Sequence, residues 1–280
     1  MKVAVMTDST AYILPEIRQQ MDIEMVPLNV VIGEKSYQEE IDLPAEEFYR
    51  LVRNERELPK TSQPSIGFIT EKLEKLAEEY DAVISIHLSS GISGTYQTMI
   101  AAGEMVEGID VHVFDSEISC MPQGFYALEA AKMAKDGINA DTIIARLTEM
   151  KESMRAYFLV DDLTHLHRGG RLNGAQALVG SVLQVKPLLH FIDTKIVPFE
   201  KIRTQKKAIK RMIALFAEDA STGAPLRAVV IHANRPNEAN LLKDELEKLF
   251  PNVELSISYF GAVIGTHLGE GALGLGWYLK

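Results

Sequence analysis

The sequence predicts an α/β protein of two domains, a parallel-sheet domain followed by a mixed-sheet α/β domain. Three observations predict it. The length of 280 residues exceeds the usual size of one domain. The first half alternates apolar, largely non-alternating strand-length runs with helical stretches, the pattern of a parallel sheet covered on both faces. The second half instead carries AYFLVDD, KPLLHFIDTKIVPFEKI and ELSISYFGAVIGTHLG, which read as paired strands joined by short turns, mixed with helices over 204–220 and 237–250.

In chain order, VAVMT (3–7) is a strand ending in Asp8-Ser9-Thr10, and Pro15 sits near the start of the helix PEIRQQM. MVPLNVVIG (25–33) reads as a second strand. Leu43-Pro44-Ala45-Glu46-Glu47 opens the helix PAEEFYRLVRNE, and KTSQPS (60–65) is a polar loop. ITEKLEKLAEEY (69–80) has the apolar 3–4 spacing of a helix. AVISIHL (82–88) and VHVFDS (111–116) are further strands, each followed by a helix after a turn bearing glycine or serine. The domain boundary is expected near Lys151–Arg155, after DTIIARLTEMKESM, giving domains 1–153 and 154–280. No Pro/Ser-rich linker marks it, so a broad interface between the domains is expected. No solenoid-period repeat and no low-complexity segment is found.

Hydrophobic residues make up 46% of the chain, enough for a full core. Apolar runs are strand-length, well short of the roughly 20 residues that span a bilayer. A single cysteine, Cys120, excludes an internal disulfide framework. With no signal-peptide pattern at MKVAVMTDST, a cytoplasmic location is expected. The net charge of −10 argues against a nucleic-acid binder. That charge is unevenly spread: residues 1–140 hold 24 acids and 11 bases, residues 141–280 hold 15 and 18. The densest basic stretch, Lys195 to Arg211, has seven basic residues and one acid. It is either a solvated face or a contact for an acidic partner or anionic headgroups, with at most transient membrane contact.

In an open parallel sheet, ligands bind beyond the carboxyl ends of the strands. Asp8-Ser9-Thr10, Ser89–Thr95 and Asp115-Ser116 should meet on that edge, with a plain helix-capping role as the alternative for each Asp-Ser pair and the favoured one for Asp115-Ser116. The segment SSGISGT is the most specific. Gly91 and Gly94 permit positive φ and close backbone approach. Ser93, Gly94 and Thr95 should lie at a helix N-terminus, where free N–H groups attract an anion, phosphate or carboxylate alike. The Walker lysine is missing, GxGxxG fails, and a GxSxG elbow fails because Thr95 stands where glycine belongs. Thr61 and Ser62 add hydroxyls from the KTSQPS loop. GAVIGTHLGEGALGLGW (261–277) has six glycines around Thr266 and His267, a backbone able to approach a ligand closely. His165 and His167 have HxH spacing, which on a strand directs both to one face, but no third ligand motif accompanies them and no metal site is expected.

MTDSTAYIL, KTSQPS, HLSSGISGTYQ, VFDS, GGRL followed by KPLL, KIRTQKKAI and GTHLGEGALG occur in that order across nearly the whole chain. Together they resemble the DegV family, bacterial fatty-acid-binding proteins that serve as binding subunits of fatty acid kinase. The resemblance implies a long-chain fatty acid such as palmitate or oleate buried between two α/β domains. It also implies no cofactor and no catalysis by the chain itself. A separate kinase subunit would phosphorylate the carboxylate, giving an acyl phosphate for phospholipid synthesis. Carried onto this sequence, the carboxylate grip falls on Thr61, Ser62, Ser93, Gly94 and Thr95, with Thr266 and His267 from GTHLG. Arg168, Arg171 and Arg203 resemble basic positions near the pocket mouth and the kinase-facing surface, and Lys206 and Lys207 extend that surface. HLHRGGR departs from many members, which carry lysine at the second histidine. Met25, Leu28, Phe158, Leu178, Val182 and Ile264 are candidate lining residues. The alternative is an acyl hydrolase using Ser93 and His267.

Overall fold

In the computed structural model, which describes residues 2–53, 57–173 and 186–280, three sheets organise the chain. The first is built from β1 (Val3–Asp8), β2 (Ile23–Val26), β6 (Ala82–His87) and β7 (Asp110–Asp115), all parallel in the order β2-β1-β6-β7. Every residue of β1 and β6 is buried, so these strands cannot show polar–apolar alternation. Crossovers are made by α1 (Pro15–Met21), α3 (Ile66–Ala77) and α4 (Thr95–Gly103). Ser65 caps α3 by accepting from Phe68 N–H.

The second sheet is mixed, with order β10-β9-β8-β13-β11-β12. It comprises β8 (Arg155–Leu159), β9 (Lys186–Ile192), β10 (Lys195–Ile202), β11 (Leu226–His232), β12 (Glu254–Tyr259) and β13 (Leu273–Leu279). Only β11 and β12 run parallel. Helices α5 (Met121–Lys135) and α6 (Ala140–Ser153) pack against strands of both sheets. As that sandwiched position requires, α5 is apolar on most of its circumference, with Pro122 to Ala127 all buried. One core cluster accordingly joins Val5 and Ile84 of the first sheet to Phe158, Leu189 and Ile231 of the second.

The structure corrects four sequence expectations. The strand expected over 25–33 is two strands, β2 and β3 (Asn29–Ile32), broken at Pro27, which has no N–H to give a ladder. KTSQPS is not only a loop: Lys60–Ser62 forms β5, which with β3 and β4 (Lys35–Gln38) makes a third, antiparallel sheet. GAVIGTHL is not strand and turn but a helix, α10 (Ala262–Leu268), after α2 (Ala45–Val52), α7 (Thr164–Arg168), α8 (Gln205–Ala220) and α9 (Pro236–Leu249). Six of its seven residues are buried, which erases the amphipathic period a helix would otherwise print in the sequence. His165 and His167 sit on α7, not a strand, so their i,i+2 spacing directs them to different faces.

Helix α10 lies against α2, β3 and β5. A buried carboxylate holds it there. Glu39 accepts from Ser9 Oγ (2.6 Å), Tyr12 Oη (3.0 Å) and the Val263 N–H (2.7 Å). Burial outweighs these bonds and pushes its carboxyl up to about 8.

Candidate functional site

The carboxyl ends of β1, β6 and β7 meet as the strand order requires. Asp8 Oδ2 accepts from Leu88 N–H (2.9 Å) and pairs with His87 Nδ1 (3.0 Å), while Asp115 Oδ1 accepts from Ser90 N–H (3.2 Å). Asp8 also caps the 3-10 turn Ser9–Ala11 through the Thr10 N–H. Asp115-Ser116 makes a turn and caps no helix, because α5 begins five residues later at Met121.

These bonds fix the segment Leu88–Gly94, which leads into α4. Neither Gly91 nor Gly94 has positive φ; both serve close approach. A Cβ on Gly91 would strike the Thr194 carbonyl, and one on Gly94 the Gln63 side chain. Ser89 Oγ donates to that same Thr194 carbonyl (2.6 Å), tying the segment to the β9–β10 hairpin.

Against the mixed sheet, beyond the carboxyl ends of the parallel strands, lies a cavity of about 280 Å³, near the lower end of ligand pockets generally, roughly 300–1,000 Å³. Its body is apolar: Leu28, Leu88, Phe158, Ile231, Phe260 and Ile264 are among the side chains that line it. One part is polar, with Thr61 and Ser62 from β5, Ser93 and Gly94 before α4, His267 from α10 and Arg171 after α7.

Five of the seven expected grip residues therefore share one wall system: Thr61, Ser62, Ser93, Gly94 and His267. Thr95 and Thr266 do not line the cavity. Thr95 is fully buried behind Ser93, with its Oγ1 2.9 Å from Ser93 Oγ. Thr266 Oγ1 donates to the Ala262 carbonyl inside its own helix (2.8 Å), and the residue faces a second, outer cleft. Of the lining residues, Leu28, Phe158 and Ile264 are in place, and Met25 borders a separate small void beside Asp8 and Arg18. Leu178 and Val182 lie outside the described residues.

Thr61 Oγ1 and His267 Nε2 are hydrogen-bonded at 2.8 Å. Burial, with the positive charge of Arg171 and the neighbouring His165 adding to it, pushes the His267 imidazole down to about 4, so it is neutral at pH 7. Arg171 donates to the Ile92 carbonyl (3.1 Å) and the Gly169 carbonyl (2.5 Å), and burial lowers its pKa without neutralising a guanidinium. No carboxylate pairs with Arg171 among the described residues. The site thus offers hydroxyls, a neutral imidazole and a guanidinium without a carboxylate partner among the described residues, beside an apolar cavity. That chemistry fits an amphiphile with an anionic head.

An outer cleft lies on the far side of this wall. Thr61, Arg171 and His267 line both spaces, and Lys60, His165 and Arg168 line the outer one. Arg171 was expected only at the mouth and partner-facing surface; it borders the cavity itself. Arg203, Lys206 and Lys207 line none of these spaces and lie exposed around the start of α8, where no acid pairs with them among the described residues. Among the lining residues that escaped the sequence reading are Phe260, Phe191 and Ile231, which look like ordinary strand residues, and nothing local separates a cavity wall from core.

For the hydrolase alternative, Ser93 would need His267 as its base. Instead, Ser93 is bonded to Thr95 and His267 to Thr61. Among the described residues no group of three or more His, Cys, Asp or Glu is placed to hold a metal, and no helix is long and apolar enough to cross a membrane.

A family model described as "Uncharacterised protein, DegV family" matches residues 2–280. Protein DegV of Bacillus subtilis (strain 168) is 59% identical over 281 residues, covering 100% of both chains. The crystal structure of DegV, a fatty acid binding protein from Bacillus subtilis, agrees with a TM-score of 0.96 at 59% identity, covering 100% of both chains. That of a fatty acid binding DegV family protein from Streptococcus agalactiae has a TM-score of 0.92 at 34% identity, covering 100% of this chain and 99% of that one.

Proposed function

Since the chain belongs to the DegV family, we propose that it binds one long-chain fatty acid in the apolar cavity against the mixed sheet, with the carboxylate at Thr61, Ser62, Ser93 and His267, and presents it to a kinase subunit. The observation that carries this reading is the apolar cavity bounded at its polar part by the Thr61–His267 hydrogen bond and by Arg171, which has no carboxylate partner among the described residues. Relatives described as fatty acid binding proteins support the ligand class.

The chemistry is consistent at each step. With its Nε2 protonated, neutral His267 donates to Thr61 Oγ1 and leaves the Thr61 hydroxyl proton free for a carboxylate. Ser93 supplies a second hydroxyl, and Thr95 fixes its orientation. Arg171 supplies charge from the wall, so the head is neither buried uncompensated nor locked in a bidentate pair. For the tail, burying about 14 methylenes at about 0.8 kcal/mol each gives roughly 11 kcal/mol of gross driving force. Association costs of several kcal/mol leave micromolar or tighter affinity.

In this reading the chain catalyses nothing alone. The kinase would reach the carboxylate through the outer cleft, past Arg168 and Arg171, for acyl-phosphate formation in phospholipid metabolism in the cytoplasm. Arg203, Lys206 and Lys207 belong to the same kinase-facing surface, and the chain divides into domains at 153/154. Reversing Lys206 and Lys207 to glutamate should weaken kinase-dependent phosphorylation while leaving fatty-acid affinity unchanged. Unchanged phosphorylation would reduce that patch to a solvated face.

The test of ligand class is native mass spectrometry of the purified protein with added palmitate and oleate. One bound acid per chain is expected. Absence of any bound acid, together with ester turnover that is lost in Ser93→Ala, would replace this reading with the hydrolase.

A further inference from the structure

The apolar cavity is flanked by two clefts that share no residue with each other. On its polar side it shares Thr61, Arg171 and His267 with the outer cleft. Elsewhere it shares Ala156, Tyr157 and Phe191 with a cleft of about 320 Å³. The three residues shared with this second cleft therefore form a partition, and none of them is a polar head residue.

Beyond the partition the surroundings turn polar. Lys151 and Glu117 form an ion pair there (2.8 Å), Arg155 and Asp193 add charge, and the Tyr126 hydroxyl is buried with no hydrogen-bond partner. A methyl group pushed into this cleft would displace water from Lys151, Glu117, Arg155 and Asp193 and offer them no hydrogen bond in return. The driving force for adding methylenes should end at the partition.

Phe191 supplies the side chain of that wall. Ala156 offers only a methyl group. The Tyr157 ring is engaged in the other core cluster, 5.6 Å from Trp277 and 5.0 Å from Phe199 between centroids. Phe191 alternates with His190 along β9 and packs 6.1 Å from Phe158, itself a cavity residue. Its hairpin is pinned to the head-group segment. The turn residues Asp193 and Thr194 both have positive φ (46° and 70°), and the Thr194 carbonyl is held by Ser89, four residues before Ser93. The hairpin that carries Phe191 is thus tied to the segment that leads to Ser93.

We propose that Phe191 is the specificity-determining end wall that sets acyl chain length, acting as the stop of a ruler whose origin is the Thr61–Ser93–His267 head site. This rests on the fatty-acid reading above and goes beyond it by naming what selects among fatty acids.

The experiment is a set of affinities for myristate, palmitate, stearate, arachidate and behenate, measured by displacement of a fluorescent fatty acid from wild type, Phe191→Ala and Phe191→Trp. Wild type should show an optimum length and then a fall. Phe191→Ala should move the optimum to longer acids, improving the ratio of long to optimal acid by roughly tenfold, the effect of about two more buried methylenes. Phe191→Trp should move it to shorter acids. If Phe191→Ala does not fold, Phe191→Leu takes its place with a smaller shift in the same direction. An optimum unmoved in the variants, or affinities weakened equally at every length, overturns the end-wall role while leaving fatty-acid binding intact. Failure of wild type to bind any of the acids overturns the underlying reading instead.

Discussion

Two histidine constellations invite comparison. In the first, Ser85 Oγ lies 2.7 Å from His87 Nε2 and His87 Nδ1 lies 3.0 Å from Asp8 Oδ2, the connectivity of a hydrolytic triad. All three residues are buried, at 1% exposure or less, and neither Ser85 nor His87 lines a cavity among the described residues. In the second, His267 contacts Thr61 and stands near Arg171, with no acid among the described residues to orient it, but it faces a cavity. One has the residue types of catalysis without access, the other has access without the acid. The difference teaches that access and charge compensation assign the role, and residue identity alone does not.

The sealed constellation is structural, and its removal should have the largest effect. Burial by itself would raise the Asp8 carboxyl, but hydrogen bonds from His87, Thr10 and the Leu88 N–H hold it below the ordinary value. Asp8→Ala should cost about 3–5 kcal/mol, because it strands buried donors at the junction of β1 and β6. Urea unfolding at pH 7 measures this. A loss under about 1 kcal/mol would remove the distinction between the two constellations.

The open constellation should declare itself in pH dependence. Folded His267 stays neutral down to about pH 4, whereas the imidazole of the unfolded chain takes a proton near 6.5. The unfolded state therefore binds more protons between those values, so this contribution is fully present above pH 6.5 and is lost as pH falls toward 4. It amounts to about 3 kcal/mol at its full extent. The stability difference between wild type and His267→Asn should change with that slope across pH 4–7 in denaturant titrations. A pH-independent difference would mean that His267 is not desolvated.

The smallest effect on stability, and the sharpest on binding, is expected at Arg171. Arg171→Ala should weaken palmitate roughly tenfold to hundredfold, the worth of a charge-assisted contact, with an unfolding midpoint close to wild type. Isothermal titration checks it. Equal affinity in wild type and variant would take the cation out of the head site.

Much of this was legible before any coordinates. The strand–helix alternation, the helices over 15–21 and 205–220 and the β9–β10 hairpin all follow from patterning that local sequence carries. The position of Ser93 and Gly94 at a helix start was legible because glycine and hydroxyl residues there are local signals. What stayed hidden depends on tertiary burial. The α10 helix has no period because it is covered on nearly all sides, and β5 is only three residues long and pairs with a strand thirty positions earlier. Thr95 and Thr266 share residue type with the true wall hydroxyls, and only their orientation, one behind Ser93 and one into its own helix, separates them. Phe191 as a wall requires knowing what lies on both of its sides.

The central claim is that a fatty acid lies with its head at Thr61, Ser93 and His267 and its tail toward Phe191. A crystal structure of the protein with palmitate tests it most directly. The account predicts carboxylate oxygens within hydrogen-bond distance of the Thr61 and Ser93 hydroxyls and the terminal methyl against the Phe191 ring. A carboxylate found at the Ala156–Phe191 partition, or palmitate outside the cavity, would contradict it.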